Sequence, residues 1–393
     1  MAEPLKVGTL AVHAGEHAPA SGAVTTPIVR SSTFHFPDSA AVDAFNAGTS
    51  ALYEYSRLGN PTVHAAEEKL ATLEGAEAAL LTASGMAAIS TTLLATLSAG
   101  DEVLCQSAVY GGAFRFLRDT APRFGIHARF VEAGALVAAI EDARPGTKAV
   151  YFETPVNPTL RLVDLSAVAK AAKARGLVSI VDSTFGTPVL QRPLAHGVDL
   201  VVHSVTKYLN GHTDAILGAV LGSAKQVQPV RSLARQLGPT VDAGVAFELL
   251  RGLKTLPLRV RRQSETALAV ALALRAHPAV AAAHYPALPD HPDHALYERQ
   301  MHGGAGGVVT FTLKGGEAAA RRAFDGLRLV ARAASLGGVE SVCSLPVITS
   351  HVGFSAAELS SAGIDRGMMR FSLGLEDAED LVADLRQAFD RAL

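Results

Sequence analysis

The sequence has no tryptophan and only two cysteines in 393 residues. This excludes a disulfide-stapled scaffold; Cys105 and Cys343, far apart in apolar settings, are expected to be reduced core thiols of a cytoplasmic protein. Charge is scarce, at 18% of residues against 49% hydrophobic, below the roughly 25% of ordinary domains. Most of the chain must therefore be interior or interface, and a disordered polypeptide is excluded. Neither sign prevails. A net charge of −2 gives no electrostatic footprint for nucleic acid or for an anionic membrane, and points to a small-molecule substrate. The opening MAEPLKVGTL lacks a basic stretch followed by an apolar run, so no export signal is read. Residues 78–100 carry no charge over 23 positions, yet they hold seven Ser/Thr hydroxyls and two glycines. Their pattern changes from strand-like to helix-like partway, which predicts a buried strand, a turn and a buried helix, and no membrane span.

What is present is a regular alternation that begins late. Residues 1–60 are rich in Thr, Ser, Pro and Gly with little periodicity, and read as an arm that must pack on something to be ordered. From Asn60 the pattern sharpens: Asn60 as N-cap, Pro61 at the first helical position, Val63, Ala66, Leu70 and Leu73 on one face, and Gly75 as the stop. Apolar strands are predicted at Ala78 to Thr82, Glu102 to Gln106, Ala128 to Val131, Ala149 to Phe152, Val178 to Val181, Leu200 to His203 and Ile216 to Leu221. Helices such as Val137 to Ala143 and Leu165 to Arg175 lie between them. Strands that are apolar throughout require a mainly parallel sheet covered on both faces, so the fold class is α/β, doubly wound. A long helix from Leu258 to Ala276 leaves this unit, followed by a strand at Val308 to Leu313, a helix at Ala318 to Phe324, a strand at Met369 to Leu373 and an amphipathic helix at Asp377 to Ala392. This divides the chain into an arm (1–60), a main domain (61–256) and a C-terminal domain (257–393).

Of nine lysines, Lys207 stands apart. It follows the apolar strand Leu200-Val201-Val202-His203 and sits between hydroxyls in His-Ser-Val-Thr-Lys. A lysine at the end of a buried strand is partly desolvated, which lowers its pKa and frees a neutral amine for a Schiff base. Alone it would be read as a snorkelling side chain. Asp182 ends the strand Val178-Ser179-Ile180-Val181, at the carboxyl edge where open α/β sheets bind ligands, and a carboxylate there can keep a pyridinium nitrogen protonated. Ser84-Gly85-Met86 follows a strand and opens a helix, aiming free amides at an anion such as a phosphate. Each feature alone is a turn or a cap; together they describe a site for pyridoxal 5′-phosphate.

Seven stretches in order carry a more specific likeness: Tyr53-Glu54-Tyr55-Ser56-Arg57-Leu58-Gly59-Asn60-Pro61-Thr62, Ser84-Gly85-Met86, Val109-Tyr110-Gly111-Gly112, Glu153-Thr154-Pro155-Val156-Asn157-Pro158, Asp182-Ser183-Thr184-Phe185, Ser204-Val205-Thr206-Lys207-Tyr208 and Ser335-Leu336-Gly337-Gly338. On these the chain resembles the Cys/Met-metabolism (trans-sulfuration) family of pyridoxal-phosphate enzymes. The resemblance implies fold type I, with a mostly parallel seven-stranded sheet between helices and a smaller α/β C-terminal domain. It also implies that Lys207 holds the cofactor covalently, Asp182 pairs with the pyridine nitrogen and Tyr110 stacks on the ring and donates a proton to the leaving group. Gly85, Met86, Ser204 and Thr206 would hold the phosphate from one subunit, and Tyr55 and Arg57 from a neighbour in a homotetramer. Asn157, Ser335 and Arg370 would receive the cofactor hydroxyl side and the substrate carboxylate.

The reaction expected from the resemblance is γ-elimination or γ-replacement on a homoserine- or homocysteine-derived amino acid. Methionine γ-lyases of the family typically carry a cysteine where this chain has Gly112. They and the sulfhydrylases usually have an aspartate directly after the Leu/Ile-Gly pair, where this chain reads Ser335-Leu336-Gly337-Gly338-Val339-Glu340-Ser341. Glu340 and Arg115 instead resemble the cystathionine enzymes, in which these positions face the distal end of a long substrate; an ordinary surface ion pair is the plainer reading. Cystathionine γ-lyase or γ-synthase chemistry is thus expected, the lyase on the likeness of Tyr53-Glu54-Tyr55-Ser56-Arg57. Methionine γ-lyase and O-acetylhomoserine sulfhydrylase are the alternatives, and β-elimination on cystathionine stays open. No metal site is expected: Asp290-His291-Pro292-Asp293-His294 reads as a solvated loop because its proline prevents a helical ligand face. Gly303-Gly304-Ala305-Gly306-Gly307 precedes a strand, unlike a dinucleotide loop, and reads as a flexible connector.

Overall fold

The computed structural model describes residues 5–17 and 22–391; the first four residues of the N-terminal reading and Ala392 of the last predicted helix lie outside it. Seven strands, β1 (Ala78–Thr82), β2 (Glu102–Gln106), β3 (His127–Val131), β4 (Thr147–Glu153), β5 (Val178–Asp182), β6 (Leu200–His203) and β7 (Gly218–Gly222), form a sheet in the order β1-β7-β6-β5-β4-β2-β3. All neighbours are parallel except the two pairs that β7 makes with β1 and β6. Apolar residues fill both faces because helices cover both. In β4, Val150 and Phe152 enter one apolar layer while Ala149 and Tyr151 enter the other, and all four are fully buried. Alternation along a strand thus yields an unbroken hydrophobic run.

The helix Pro61–Glu74 begins and ends where its sequence says. The Asn60 side chain accepts from the Thr62 amide at 2.9 Å, a bond contributing about 1 kcal/mol, and Gly75 stops the helix at φ 77°, a conformation that favours glycine. The helix Leu256–Ala276 leads to a second sheet of β8 (Val280–His284), β9 (Val308–Leu313), β10 (Ala331–Arg332), β11 (Val342–Ser344) and β12 (Met368–Ser372), ordered β10-β11-β12-β9-β8. Among the described residues no helix is long and apolar enough to cross a membrane.

Three sequence expectations need correction. The arm is not wholly irregular: Val7–His13 is a helix and Ser39–Asn46 a second. The first is held from outside, since the fully buried Lys69 donates to the carbonyls of Ala11 and Val12 at 3.0 and 3.1 Å and lies 3.2 Å from Glu16. Seven residues are too few to show a period, and the cap comes from 58 positions away in sequence. The Asp290–His294 stretch is not simply solvated. His291 is buried, Asp293 takes a two-bond contact from Arg161 at 2.5 and 3.0 Å, and a helix starts at His294. Finally, Gly304–Gly307 is a close-packed crossing and not a loose connector, with only Gly303 in open space. A β-carbon on Gly307 would lie 2.9 Å from the Gln263 β-carbon, and the Gly307 amide donates to the Tyr208 hydroxyl at 3.0 Å. Glycine is present so that this segment can lie against the helix Leu256–Ala276.

Candidate active site

The carboxyl ends of β1, β4, β5 and β6 converge on a cavity of about 700 Å³ whose other wall comes from the loops of the second sheet. That is where an open α/β sheet presents backbone ends and loops to a ligand, and the size suits a small cofactor with its substrate.

Lys207 projects here from a turn that follows β6. The turn is tied from behind: buried Arg259 donates to the Tyr208 carbonyl at 2.8 Å and to the Gly252 carbonyl at 2.8 Å. The lysine amine donates to the Ser335 hydroxyl at 2.8 Å. Burial, with a smaller contribution from the charge of Arg370, lowers the amine pKa to about 8. An appreciable fraction is therefore the neutral nucleophile near neutral pH.

Asp182, at the end of β5, is buried. Its Oδ1 accepts from the Thr184 amide at 3.0 Å and from the Thr184 hydroxyl at 2.6 Å. The same hydroxyl accepts from the Ser204 amide at 2.8 Å, so one threonine locks the β5 and β6 ends together. Burial pushes the Asp182 carboxyl up, and the Thr184 bonds oppose this. A cationic ring nitrogen beside it would restore the charged form.

The helix Gly85–Thr96 starts at the cavity wall, with Ser84 as N-cap accepting from the Ala87 amide at 3.1 Å. Gly85 and Met86 line the cavity with Ser204 and Thr206. A β-carbon on Gly85 would approach the Ser204 β-carbon to 2.8 Å, closing the cradle. The Thr206 hydroxyl exchanges bonds with the Leu217 backbone at 3.1 and 3.0 Å. Tyr110 is 41% exposed at the cavity, and a β-carbon on Gly112 would overlap its ring and lie 2.8 Å from the Met86 sulfur.

Arg370, from the middle of β12, is buried. It donates to the Asn157 side-chain oxygen at 2.9 Å and to the Ser335 carbonyl at 2.8 Å, while its Nε has no partner. An unsatisfied buried guanidinium nitrogen is costly and suits a carboxylate that takes two parallel bonds. Ser335 adopts φ 130°, strained for a residue with a side chain; in that conformation its hydroxyl meets Lys207 and its carbonyl meets Arg370.

Most of the predicted residues meet at this cavity: Gly85, Met86, Tyr110, Arg115, Asn157, Asp182, Ser204, Thr206, Lys207, Ser335 and Arg370 all line it. Three do not. Tyr55 is 44% exposed on the arm, and Arg57 lines a separate pocket, donating to the Arg235 carbonyl at 2.7 Å. Glu340 is exposed and accepts from the Thr213 hydroxyl at 3.0 Å, so this chain alone does not bring Glu340 onto the cavity wall that Arg115 lines. Sequence reasoning missed Thr184, Glu153, Thr349 and Ser350, which also line the cavity. The first two stand inside the quoted motifs, one beside Asp182 and one at the end of β4, and their strand-end positions were the available signal.

The donor set fits pyridoxal 5′-phosphate: a glycine-lined helix start for an anion, a buried carboxylate for a ring nitrogen, a lysine of lowered pKa, and an unpaired guanidinium nitrogen for a substrate carboxylate. Comparison with known proteins agrees. The chain is 42% identical over 97% of its length to an L-methionine gamma-lyase of Pseudomonas putida, covering 96% of that protein. It is 41% identical over 98% of its length to the chloroplastic cystathionine gamma-synthase 1 of Arabidopsis thaliana, covering 69% of it. Among solved structures, cystathionine gamma synthase from Xanthomonas oryzae pv. oryzae, in complex with aminoacrylate and cysteine, superposes with a TM-score of 0.92 at 42% identity, covering 99% of both chains. Residues 8–390 match the family described as Cys/Met metabolism PLP-dependent enzyme, and with the site geometry this places the chain in that family of trans-sulfuration enzymes.

Proposed function

We propose that this enzyme works at the γ-carbon of an amino acid with a second charged head, cystathionine above all, by γ-elimination or γ-replacement. The observation that carries this reading is Arg115, which lines the cavity and has a buried guanidinium nitrogen without a partner. Methionine offers that nitrogen nothing; the distal carboxylate of cystathionine does. The crowding around Gly112 points the same way, because a cysteine there would displace the Tyr110 ring or Met86. The lyase direction is preferred on the Tyr53-Glu54-Tyr55-Ser56-Arg57 stretch.

When bound, pyridoxal phosphate supplies an electron sink for negative charge at the carbon bearing the amino group. The chain's own residues do the rest. Arg370 and Asn157 bind the α-carboxylate, and Asp182 keeps the ring nitrogen protonated. The Lys207 amine would hold the cofactor and, once free, would take the α-proton; a second proton would leave the β-carbon before the γ-substituent departs. Tyr110 provides the proton for the departing γ-substituent. Cystathionine, methionine, and an O-acylhomoserine with cysteine, assayed separately, decide the substrate. Cystathionine cleavage, or its synthesis from the acylhomoserine, should have the highest kcat/KM; methionine cleavage dominating tenfold, about 1.4 kcal/mol in transition-state binding, overturns the choice.

The site is completed by a second copy of the chain in a homotetramer, each pair of subunits sharing two sites. Tyr55 and Arg57 support this, since they stand on an exposed arm and off the wall of their own cavity. Arg57→Ala should weaken cofactor binding about tenfold or more, the scale of one charged hydrogen bond. Mixing Lys207→Ala with Arg57→Ala subunits should restore activity, because one site of each hybrid pair is intact. Proven exchange without restored activity means sites built within one chain.

A further inference from the structure

Glu153 is the last residue of β4 and the register partner of Asp182 on β5. It is buried and lines the cavity, yet the roles given above leave it unused. Its two carboxylate oxygens are divided between two loops. Oε2 accepts from the Tyr110 amide at 2.7 Å, and Oε1 accepts from the Asn157 amide at 2.8 Å. Its own amide donates to the buried Gln106 side chain at 3.0 Å. Asn157 in turn takes a bond from Arg370, so the carboxylate stands between the residue proposed to donate a proton and the pair proposed to hold the substrate.

We propose that Glu153 is a positioning residue that fixes Tyr110 and Asn157 at one mutual distance, so that the acid for the leaving group and the grip on the substrate carboxylate are set by a single side chain. This deepens the reading of the site given above and rests on it. The placement is costly. Burial and the neighbouring Asp182 push the Glu153 carboxyl well up, opposed by the two amide bonds and the charge of Arg370. A residue needed only to end a strand would not require a second buried carboxylate beside Asp182. The division of labour is also stereochemically strict: a carboxylate accepts at both oxygens, whereas an amide of the same shape accepts at one and presents N–H at the other. Glutamine would thus leave either Tyr110 or Asn157 facing a donor.

Glu153→Gln in the holoenzyme tests this, with Glu153→Asp, which keeps the carboxyl group but is one methylene too short to span both amides, carrying the same readouts where the first variant does not fold. Three quantities are read: visible circular dichroism of the bound cofactor, the Kd of unreactive glycine from the change in cofactor absorbance, and kcat and KM for cystathionine. Expected are an altered cofactor ellipticity and at least a tenfold loss of kcat/KM, appearing as a lower kcat if Tyr110 loses its acceptor or as a higher KM and glycine Kd if Asn157 does. Unchanged ellipticity, glycine affinity and kinetics overturn the proposal, as does a lowered melting temperature with those three intact. The underlying reading fails separately, if wild-type protein reduced with borohydride carries no pyridoxyl group on Lys207.

Discussion

Lys207→Ala is expected to lose at least about three orders of magnitude in kcat, the upper part of the range for a positioned acid–base group with its nucleophilic role added. The fold should survive, because the amine makes a single hydrogen bond, to the Ser335 hydroxyl, while the turn is held by Arg259 and Tyr208. Melting temperature, far-ultraviolet circular dichroism and single-turnover kinetics separate the two effects. In the wild-type apoenzyme the amine, lowered to about 8, carries its proton below that pH and is a nucleophile above it. The rate of cofactor attachment should therefore rise as pH increases through about 8 and level off beyond. Reduction with borohydride followed by peptide mass spectrometry should place the pyridoxyl group on Lys207. An adduct on Lys69 or any other lysine refutes the assignment.

Arg370→Lys should raise KM by at least about tenfold for every amino-acid substrate, since a point charge cannot reproduce two parallel bonds to a carboxylate. The wild-type guanidinium reaches Asn157 and Ser335 at once and still has Nε unspent. An ammonium on a shorter frame must abandon at least one of these. The loss should fall on amino-acid binding and leave the cofactor's own affinity nearly unchanged, because Gly85, Met86 and Ser204, the residues proposed to cradle the phosphate, belong to other elements. Equilibrium dialysis of the cofactor beside steady-state kinetics makes the distinction. A KM equal to that of the wild type for all substrates removes Arg370 from the carboxylate site.

The elements that were legible in the sequence are those whose cause is local. Asn60, Pro61 and Gly75 bound a helix through contacts within a few residues, and apolar runs such as Ala149 to Phe152 announce a strand covered on both sides. Lys207, Asp182 and the Ser84 cap were readable because a strand end is itself a local feature. What escaped depends on partners far along the chain. Glu153 is explained only when Tyr110, 43 positions away, is seen to share its carboxylate with the nearby Asn157, and the irregular-looking Val7–His13 segment is helical because a lysine at position 69 satisfies its last carbonyls. The glycines at 304–307 look flexible in a sequence for the same reason that they fit a tight crossing in the fold: both follow from a missing side chain.

Ser335 joins the two sheets at one residue, its hydroxyl on the lysine that follows β6 and its carbonyl on the arginine of β12. Descent with modification can act differently on the two sides of that joint. Substitutions in the second sheet and its loops can reshape what the clamp admits while Lys207 and Asp182 of the first sheet keep the roles proposed for them at the cofactor. Relatives that diverged to different reactions would then need to differ from one another at only a few positions around the clamp to change substrate. The near-equal identity of this chain to proteins named for methionine cleavage and for cystathionine synthesis fits this picture: a substrate choice made by a few residues around one clamp is too small a change to move the overall likeness.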